Sequence, residues 1–256
     1  ELAAEQGDTN AMCQYAFMYM FGDGGVKGND KKALQYFQQA AEGGNARAEY
    51  CLGLIYENGY CGVEVNLEEA CLHYHKAAEY GNDKGVLSCG RFLENGLGGC
   101  EVDLMTAFQL YLQSAEMGNV EAQTAVGRCY LHGIGERKNE KKAEKYLKLA
   151  ADSGNTMGIV LLGDLYKATK RSEEAVECYN KVVESGNPLG ACQLGRLYAR
   201  CQELGIDYDK SISYFKQAIE MSDDDDFKAQ CFYEMAYTKY YSGNLEGALE
   251  TIEKAL

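Results

Sequence analysis

Apolar and polar positions alternate along this chain with the period of an α-helix, in blocks separated by short turns that contain glycine. In residues 46–58, the apolar residues Leu52, Ile55 and Tyr56 fall on helical spacing. The block ends at residues 59–62, where glycines predict a helix stop and a turn. The pattern predicts one helix of about a dozen residues, followed directly by a turn.

A second helix is predicted immediately after this turn. Asn66 is a suitable N-cap, and Glu69 follows it three residues later, which is a partial capping box. Its apolar stripe occupies positions i, i+4, i+7 and i+8 of one helix face: Ala70, Tyr74, Ala77 and Ala78. Residues 46–82 therefore predict a hairpin of two helices.

The hairpin recurs along the whole chain. Gly-Asn dipeptides begin at residues 44, 81, 118, 154 and 186, and a second glycine series, at residues 53, 90, 127, 163 and 195, has the same steps. A spacing of this size that recurs along one chain is typical of helical repeat arrays. The predicted repeats are residues 9–45, 46–82, 83–119, 120–155, 156–187, 188–223 and 224–256.

The second glycine series lies inside the first helix of each repeat. Glycine there costs about 1 kcal/mol relative to alanine, so the packing must offset this cost. We expect Gly53 and its equivalents to be points of close helix contact.

These features resemble the Sel1-like repeat family, which is related to tetratricopeptide repeats. The residues that carry the resemblance are Ala48, Leu52, Gly53, Tyr56 and Gly59, then Glu69, Ala70, Tyr74, Ala77, Ala78, Gly81 and Asn82. The resemblance implies an all-α, right-handed superhelical solenoid of about seven stacked antiparallel helix pairs, with the first helices lining a concave face.

We expect residues 1–256 to form a single array that continues beyond its ends. Residues 2–8 match the end of a second helix, as in residues 40–45, so the first helix of that repeat would lie upstream. The chain ends at Ala255 and Leu256 with no polar capping helix, although repeat arrays need capped ends.

Composition narrows the possible functions. A formal net charge of −14 argues against a general nucleic-acid binder, because such proteins need a basic face for phosphates. No apolar run reaches the length of about 18 residues that a membrane helix needs, so no direct membrane insertion is predicted. The 11 cysteines contain no C-x-x-C motif, and the thiols are expected to be reduced in the cytoplasm. A secreted or periplasmic location stays open.

No catalytic, cofactor-binding or metal site is predicted. The glycine clusters at residues 22–25 and 96–99 follow helices, and no Gly-Lys-Ser/Thr occurs, so neither is a phosphate loop. His73 and His75 face different directions on a helix. Residues 207–211 begin like a calcium loop but lack its glycine and final glutamate. The chain is predicted not to be an enzyme.

The positions that follow the repeated glycines point to a partner-binding face. Arginine recurs there at Arg91, Arg128 and Arg196, although the protein is acidic. Helix neighbours and the last repeat complete the predicted set: Tyr50, Leu54, Lys84, Asn95, Tyr233 and Tyr237. Two interpretations remain. The arginines form a basic strip for an acidic or carboxylate-bearing segment, or each pairs with a local acid such as Glu94 or Asp164.

The sequence therefore predicts a scaffold that binds an extended or helical segment of another protein in its concave face. Two alternatives stay open. The chain could be the regulatory or targeting region of a larger enzyme, or a secreted bacterial repeat protein that acts at the cell envelope or on a host. The tyrosines of the last repeat could equally pack against a further repeat.

Overall fold

The computed structural model describes residues 7–255, and within them the chain is all-helical, with fourteen α-helices, one short 3₁₀ turn at Tyr60–Gly62 and no strand. The helices are α1 (Thr9–Phe21), α2 (Asp30–Glu42), α3 (Ala46–Asn58), α4 (Leu67–Glu79), α5 (Asp83–Asn95), α6 (Leu104–Glu116), α7 (Val120–His132), α8 (Glu140–Asp152), α9 (Thr156–Ala168), α10 (Ser172–Glu184), α11 (Pro188–Arg200), α12 (Tyr208–Met221), α13 (Asp225–Tyr241) and α14 (Leu245–Ile252). The predicted all-α array of helix pairs is confirmed.

The chain divides into two compact units, Glu1–Asn139 and Glu140–Leu256, called here the N-terminal and C-terminal units. Within each unit, consecutive helices pack against one another. The boundary falls between α7 and α8, inside the predicted fourth repeat. That all seven repeats form one array therefore stays a prediction. The helix end expected at residues 2–6 and the terminal Leu256 lie outside the described residues.

The repeated Gly-Asn dipeptide is the turn between one repeat and the next. At Gly81 the backbone has a φ of 82°, in the left-handed region that favours glycine. Asn82 then caps α5, because its side chain accepts a hydrogen bond from the backbone N–H of Gly85. The same arrangement precedes α3, α7, α9 and α11. The dipeptide thus reverses the chain and starts the next first helix.

Four of the five repeated glycines inside the first helices, at residues 53, 90, 163 and 195, are points of close contact, as predicted. A Cβ on Gly53 would lie 2.5 Å from the ring of Tyr74, and one on Gly90 would lie 2.7 Å from the ring of Tyr111. In the C-terminal unit, Gly163 faces Tyr179 and Gly195 faces Phe215 in the same way. The missing side chain lets the first helix of each pair approach the aromatic ring of the second, which offsets the helix cost of glycine.

Candidate functional site

A groove of about 520 Å³ opens in the N-terminal unit along the first helices of three successive repeats, α3, α5 and α7. Its lining consists of Tyr50, Leu54, Leu87, Ser88, Arg91, Glu94, Asn95, Tyr111, Glu121, Ala125 and Arg128. Five of the predicted partner-binding residues lie here together: Tyr50, Leu54, Arg91, Asn95 and Arg128. The repeat brings them together because equivalent positions on successive first helices lie side by side.

Arg91 pairs with Glu57, which lies one repeat earlier on α3. The guanidinium Nη2 donates to Glu57 Oε2 at 2.6 Å. The same carboxylate oxygen accepts the hydroxyl of Tyr74 at 2.5 Å. Tyr74 is the fully buried ring that faces Gly53, so one glutamate joins the groove surface to the core beneath it.

Arg128 repeats this arrangement one repeat later. Its Nη2 donates to both carboxylate oxygens of Glu94, at 2.8 and 2.7 Å. Glu94 also accepts the hydroxyl of Tyr111 at 2.6 Å. Two equivalent rungs therefore meet the groove, each built from a glutamate, a tyrosine and an arginine of the following first helix. Arg91, Glu94, Tyr111 and Arg128 line the groove. We call these two triplets the ladder.

The repeat register explains why the ladder has two rungs in this series. Each glutamate stands four residues after the repeated glycine, and each arginine stands one residue after the next glycine. The second repeat has Leu54 at the arginine position, and the fourth repeat has Leu131 at the glutamate position. Leu54 and Tyr50 instead make one end of the groove more apolar.

The ladder shifts the acidity of its members. Burial by itself would raise the pKa of Glu57, but hydrogen bonds from Arg91 and Tyr74 outweigh it, and the pKa lies below the ordinary value of 4.5. Glu94 behaves alike, with Arg128 and Tyr111 as its donors. Burial and the adjacent carboxylate raise the pKa of Tyr74 in turn. Both glutamates are therefore ionised at neutral pH.

This lowering predicts a pH dependence of stability. A carboxyl whose folded-state pKa is depressed contributes stability above its unfolded-state pKa, and that stability is lost as the pH falls through the folded-state value. Between about pH 6 and about pH 3, the Glu57→Gln/Glu94→Gln double variant is expected to lose less unfolding free energy than the wild type. Urea titrations followed by circular dichroism at several pH values measure this. The exposed pair Glu101→Gln/Glu116→Gln is the control, and equal pH slopes for both double variants would contradict the ladder.

The other predicted residues lie elsewhere. Lys84 is exposed in the first turn of α5 and does not line the groove. Arg196 belongs to the C-terminal unit, where its Nε donates to Glu234 at 2.9 Å, and Arg200 binds the other oxygen of the same carboxylate at 2.8 Å. That Arg196 acts together with Arg91 and Arg128 stays a prediction.

Tyr233 and Tyr237 line a second, largely apolar groove of about 430 Å³ in the C-terminal unit. It lies between α13 and α14, and its remaining lining residues are Ala236, Tyr240, Leu245, Ala248, Leu249 and Ile252. Several of these side chains are strongly exposed, with 67% for Leu249 and 58% for Tyr233. We call this the aromatic groove.

Sequence reasoning did not single out three members of the ladder as part of the site: Glu57, Tyr74 and Tyr111. Glu57 and Glu94 are 37 residues apart, as are the two tyrosines and the two arginines. This shared recurrence was available in the sequence. The recurrence does not show which glutamate each arginine binds. Arg91 binds the glutamate of the preceding repeat, across 34 residues, and the two residues meet only when the first helices stack.

Residues 7–255 contain no group of three or more His, Cys, Asp or Glu side chains that could hold a metal ion. In the same part of the chain, every helix is too short or too polar to cross a membrane.

Comparison with known families gives a consistent result. The Sel1 repeat profile matches residues 9–45, 46–82, 87–119, 120–155 and 188–223, which together make up more than half of the chain. Four of these segments have the bounds of predicted repeats. A tetratricopeptide repeat profile matches residues 159–185, within the shortened fifth repeat. No curated protein sequence matches the chain.

Solved structures show the same architecture. The protective antigen c5321 of uropathogenic Escherichia coli strains, which displays an SLR fold, matches 99% of this chain at 26% identity and a TM-score of 0.80. This chain spans about half, 54%, of that protein's length. A Sel1 repeat protein from Oxalobacter formigenes matches at 27% identity and a TM-score of 0.70, over 84% of this chain and 89% of its own. A tetratricopeptide repeat protein from Parabacteroides merdae shares the fold at 16% identity, over 96% of this chain and 91% of its own, with a TM-score of 0.58.

Proposed function

This chain belongs to the Sel1 repeat family, whose repeats generally form protein-interaction scaffolds, and we propose that it holds an extended segment of a partner protein in the groove of its N-terminal unit. The observation that carries this proposal is the groove itself, lined by equivalent positions on three successive first helices. A periodic surface of this kind suits an extended chain, whose own groups also repeat at regular intervals.

The ladder favours the second interpretation of the arginines, local pairing. Arg91 and Arg128 are balanced by Glu57 and Glu94, and Glu121 adds a further negative charge to the lining. The groove therefore offers no net positive charge to an acidic partner. We propose that recognition depends on shape and hydrogen bonds more than on net charge.

The two ends of the groove would bind different parts of that segment. Tyr50, Leu54 and Leu87 offer an apolar surface for a hydrophobic side chain. Arg91 and Arg128 are each about a third or more exposed, and an arginine has five N–H donors. Their glutamates hold these guanidinium groups in place, so further donors can meet backbone carbonyls or a carboxylate of the partner.

We propose the aromatic groove as a second contact surface, which takes an amphipathic helix of the partner. Tyr233 and Tyr237 stand at the repeat positions of Tyr50 and Leu54. In the N-terminal unit, α5 packs against the equivalent second helix, α4. The aromatic groove thus offers an apolar surface at the position where, in the N-terminal unit, the next helix packs. We propose that a helix of the partner with small residues on one face packs there.

Selection from a displayed library of random peptides on the immobilised chain tests both surfaces. Calorimetry on the selected peptides is expected to show at least about tenfold weaker binding to Leu54→Glu for peptides of the N-terminal groove, because a charge replaces an apolar contact. Leu249→Glu should have the same effect for peptides of the aromatic groove.

Leu72→Glu is the matched control, since Leu72 is 57% exposed on α4 and lines neither groove. Circular dichroism melts verify that each variant folds. If the selected peptides bind Leu54→Glu and Leu249→Glu as tightly as Leu72→Glu, both proposed surfaces are wrong. If the affinity instead falls steeply with added salt, recognition depends on charge, and the interpretation of the groove as a site for an acidic segment is favoured.

A further inference from the structure

Two cysteines that are 29 residues apart along the chain lie in contact within the N-terminal unit. The Sγ atoms of Cys71 on α4 and Cys100 in the turn after α5 are 3.4 Å apart, and both thiols are free. Cys71 is buried and Cys100 is half-buried, so Cys100 is the more exposed residue of the pair.

A glycine in the turn creates this contact. Gly98 has a φ of 63°, and a Cβ there would lie 2.4 Å from the carbonyl oxygen of Leu67 and 2.9 Å from the Cβ of Cys71. The backbone of the turn thus rests directly on α4. Cys100 follows two residues later and reaches the sulfur of Cys71.

The equivalent contacts in neighbouring repeats contain no cysteine pair. The corresponding residues are Leu34 and Val63 one repeat earlier, and Phe108 and Arg137 one repeat later. Gly135 packs on α6 as Gly98 packs on α4, so the turn adopts this position with other side chains. Packing of the turn therefore does not by itself call for two thiols.

We propose that Cys71 and Cys100 form an intramolecular disulfide when the protein meets a disulfide oxidant such as oxidised glutathione. In the first step, the thiolate of Cys100 attacks one sulfur of glutathione disulfide, which gives a mixed disulfide and one glutathione thiolate. In the second step, the thiolate of Cys71 attacks the Cys100 sulfur and releases the second glutathione. Two protein thiols are oxidised, one glutathione disulfide is reduced to two thiols, and the two cysteine protons pass to the glutathione thiolates or to solvent.

Exposure determines the order of the two steps. Cys100 is the more exposed residue of the pair, so we expect it to meet the oxidant first. Burial, and to a smaller extent the hydrogen bond with Cys100, raises the pKa of Cys71 to about 12. Cys71 is therefore largely protonated at neutral pH, and ring closure should accelerate as the pH rises.

The bond would tie α4 to the turn that follows α5, the helix that carries Arg91 and Asn95 into the groove. It would close a loop between residues 71 and 100 and restrict the unfolded chain. We expect the oxidised protein to unfold at a temperature at least about 5 °C above that of the reduced protein.

Incubation of the folded protein in glutathione buffers, followed by alkylation of free thiols and peptide mapping by mass spectrometry, tests the proposal. The wild type is expected to yield a linked Cys71–Cys100 peptide pair and no lasting glutathione adduct on Cys100. Cys71→Ala should instead accumulate that adduct, because the resolving thiol is gone. Cys61, the other half-buried cysteine, is an internal standard, since the described residues record no thiol contact for it.

Cys100→Ser provides a second variant that keeps Cys71 in place and should abolish both the linked peptides and the thermal shift. The proposal is overturned if wild-type Cys100 retains glutathione as in Cys71→Ala, if either cysteine links to a different partner, or if Cys61 is modified while this pair stays reduced. Circular dichroism of each variant confirms that the comparison is between folded proteins.

Discussion

Replacing Gly53 by leucine is expected to lower the free energy of unfolding by about 3 kcal/mol, the upper part of the range for overpacked cores. A Cβ at this position would lie 2.5 Å from two carbons of the Tyr74 ring, and that ring is completely buried. The better helix propensity of leucine offsets only about 1 kcal/mol of the clash. Urea denaturation followed by far-ultraviolet circular dichroism gives the difference.

A double-mutant cycle with Tyr74→Ala separates the clash from any general intolerance of leucine at this place. All three atoms nearest to the added Cβ belong to Tyr74, so removal of the ring provides the space that leucine needs. Tyr74→Ala alone should cost about 3–5 kcal/mol, as for other large buried aromatics. The double variant should be more stable than the sum of the single effects implies by more than about 1 kcal/mol. Strictly additive costs would show that the helices do not meet at this glycine.

Glu94→Ala is expected to reduce the free energy of unfolding by about 2 kcal/mol. The hydroxyl of Tyr111, a residue 3% exposed, would lose its acceptor, and an unsatisfied buried group costs about 1–3 kcal/mol. The pair with Arg128 is partly exposed, so its loss adds about 1 kcal/mol or less. Chemical denaturation of the purified variant measures the change.

Glu116→Ala is the matched control for this effect. Glu116 lies exposed at the end of α6 in the same repeat, where substitutions usually change stability by less than about 0.5 kcal/mol. Adding Tyr111→Phe to Glu94→Ala should recover part of the loss, because the unsatisfied hydroxyl is removed as well. If Glu94→Ala costs no more than Glu116→Ala, the ladder contributes nothing to the stability of the N-terminal unit.

The helices and their order could be predicted from residue types alone. The period-3.6 stripe, the Asn and Asp caps and the glycine stops are local features, since each acts within one or two helical turns. The predicted first helix at residues 46–58 and the cap at Asn66 coincide with the structure. The recurring glycines also predicted close helix contacts, because a helix tolerates glycine at one position in repeat after repeat only when packing requires it.

The contacts of the repeated side chains, in contrast, follow from how the helices stack in three dimensions. Arg91 and Arg128 share one position in the repeat, and the sequence allowed both a free basic strip and local pairing. The choice depended on Glu57 and Glu94, which meet the arginines across 34 residues through the stacking of first helices. The contact of Cys71 with Cys100 depends in the same way on a turn folded onto the preceding helix pair. Contacts of this kind depend on distances between helices, and a one-dimensional pattern of residue types does not contain those distances.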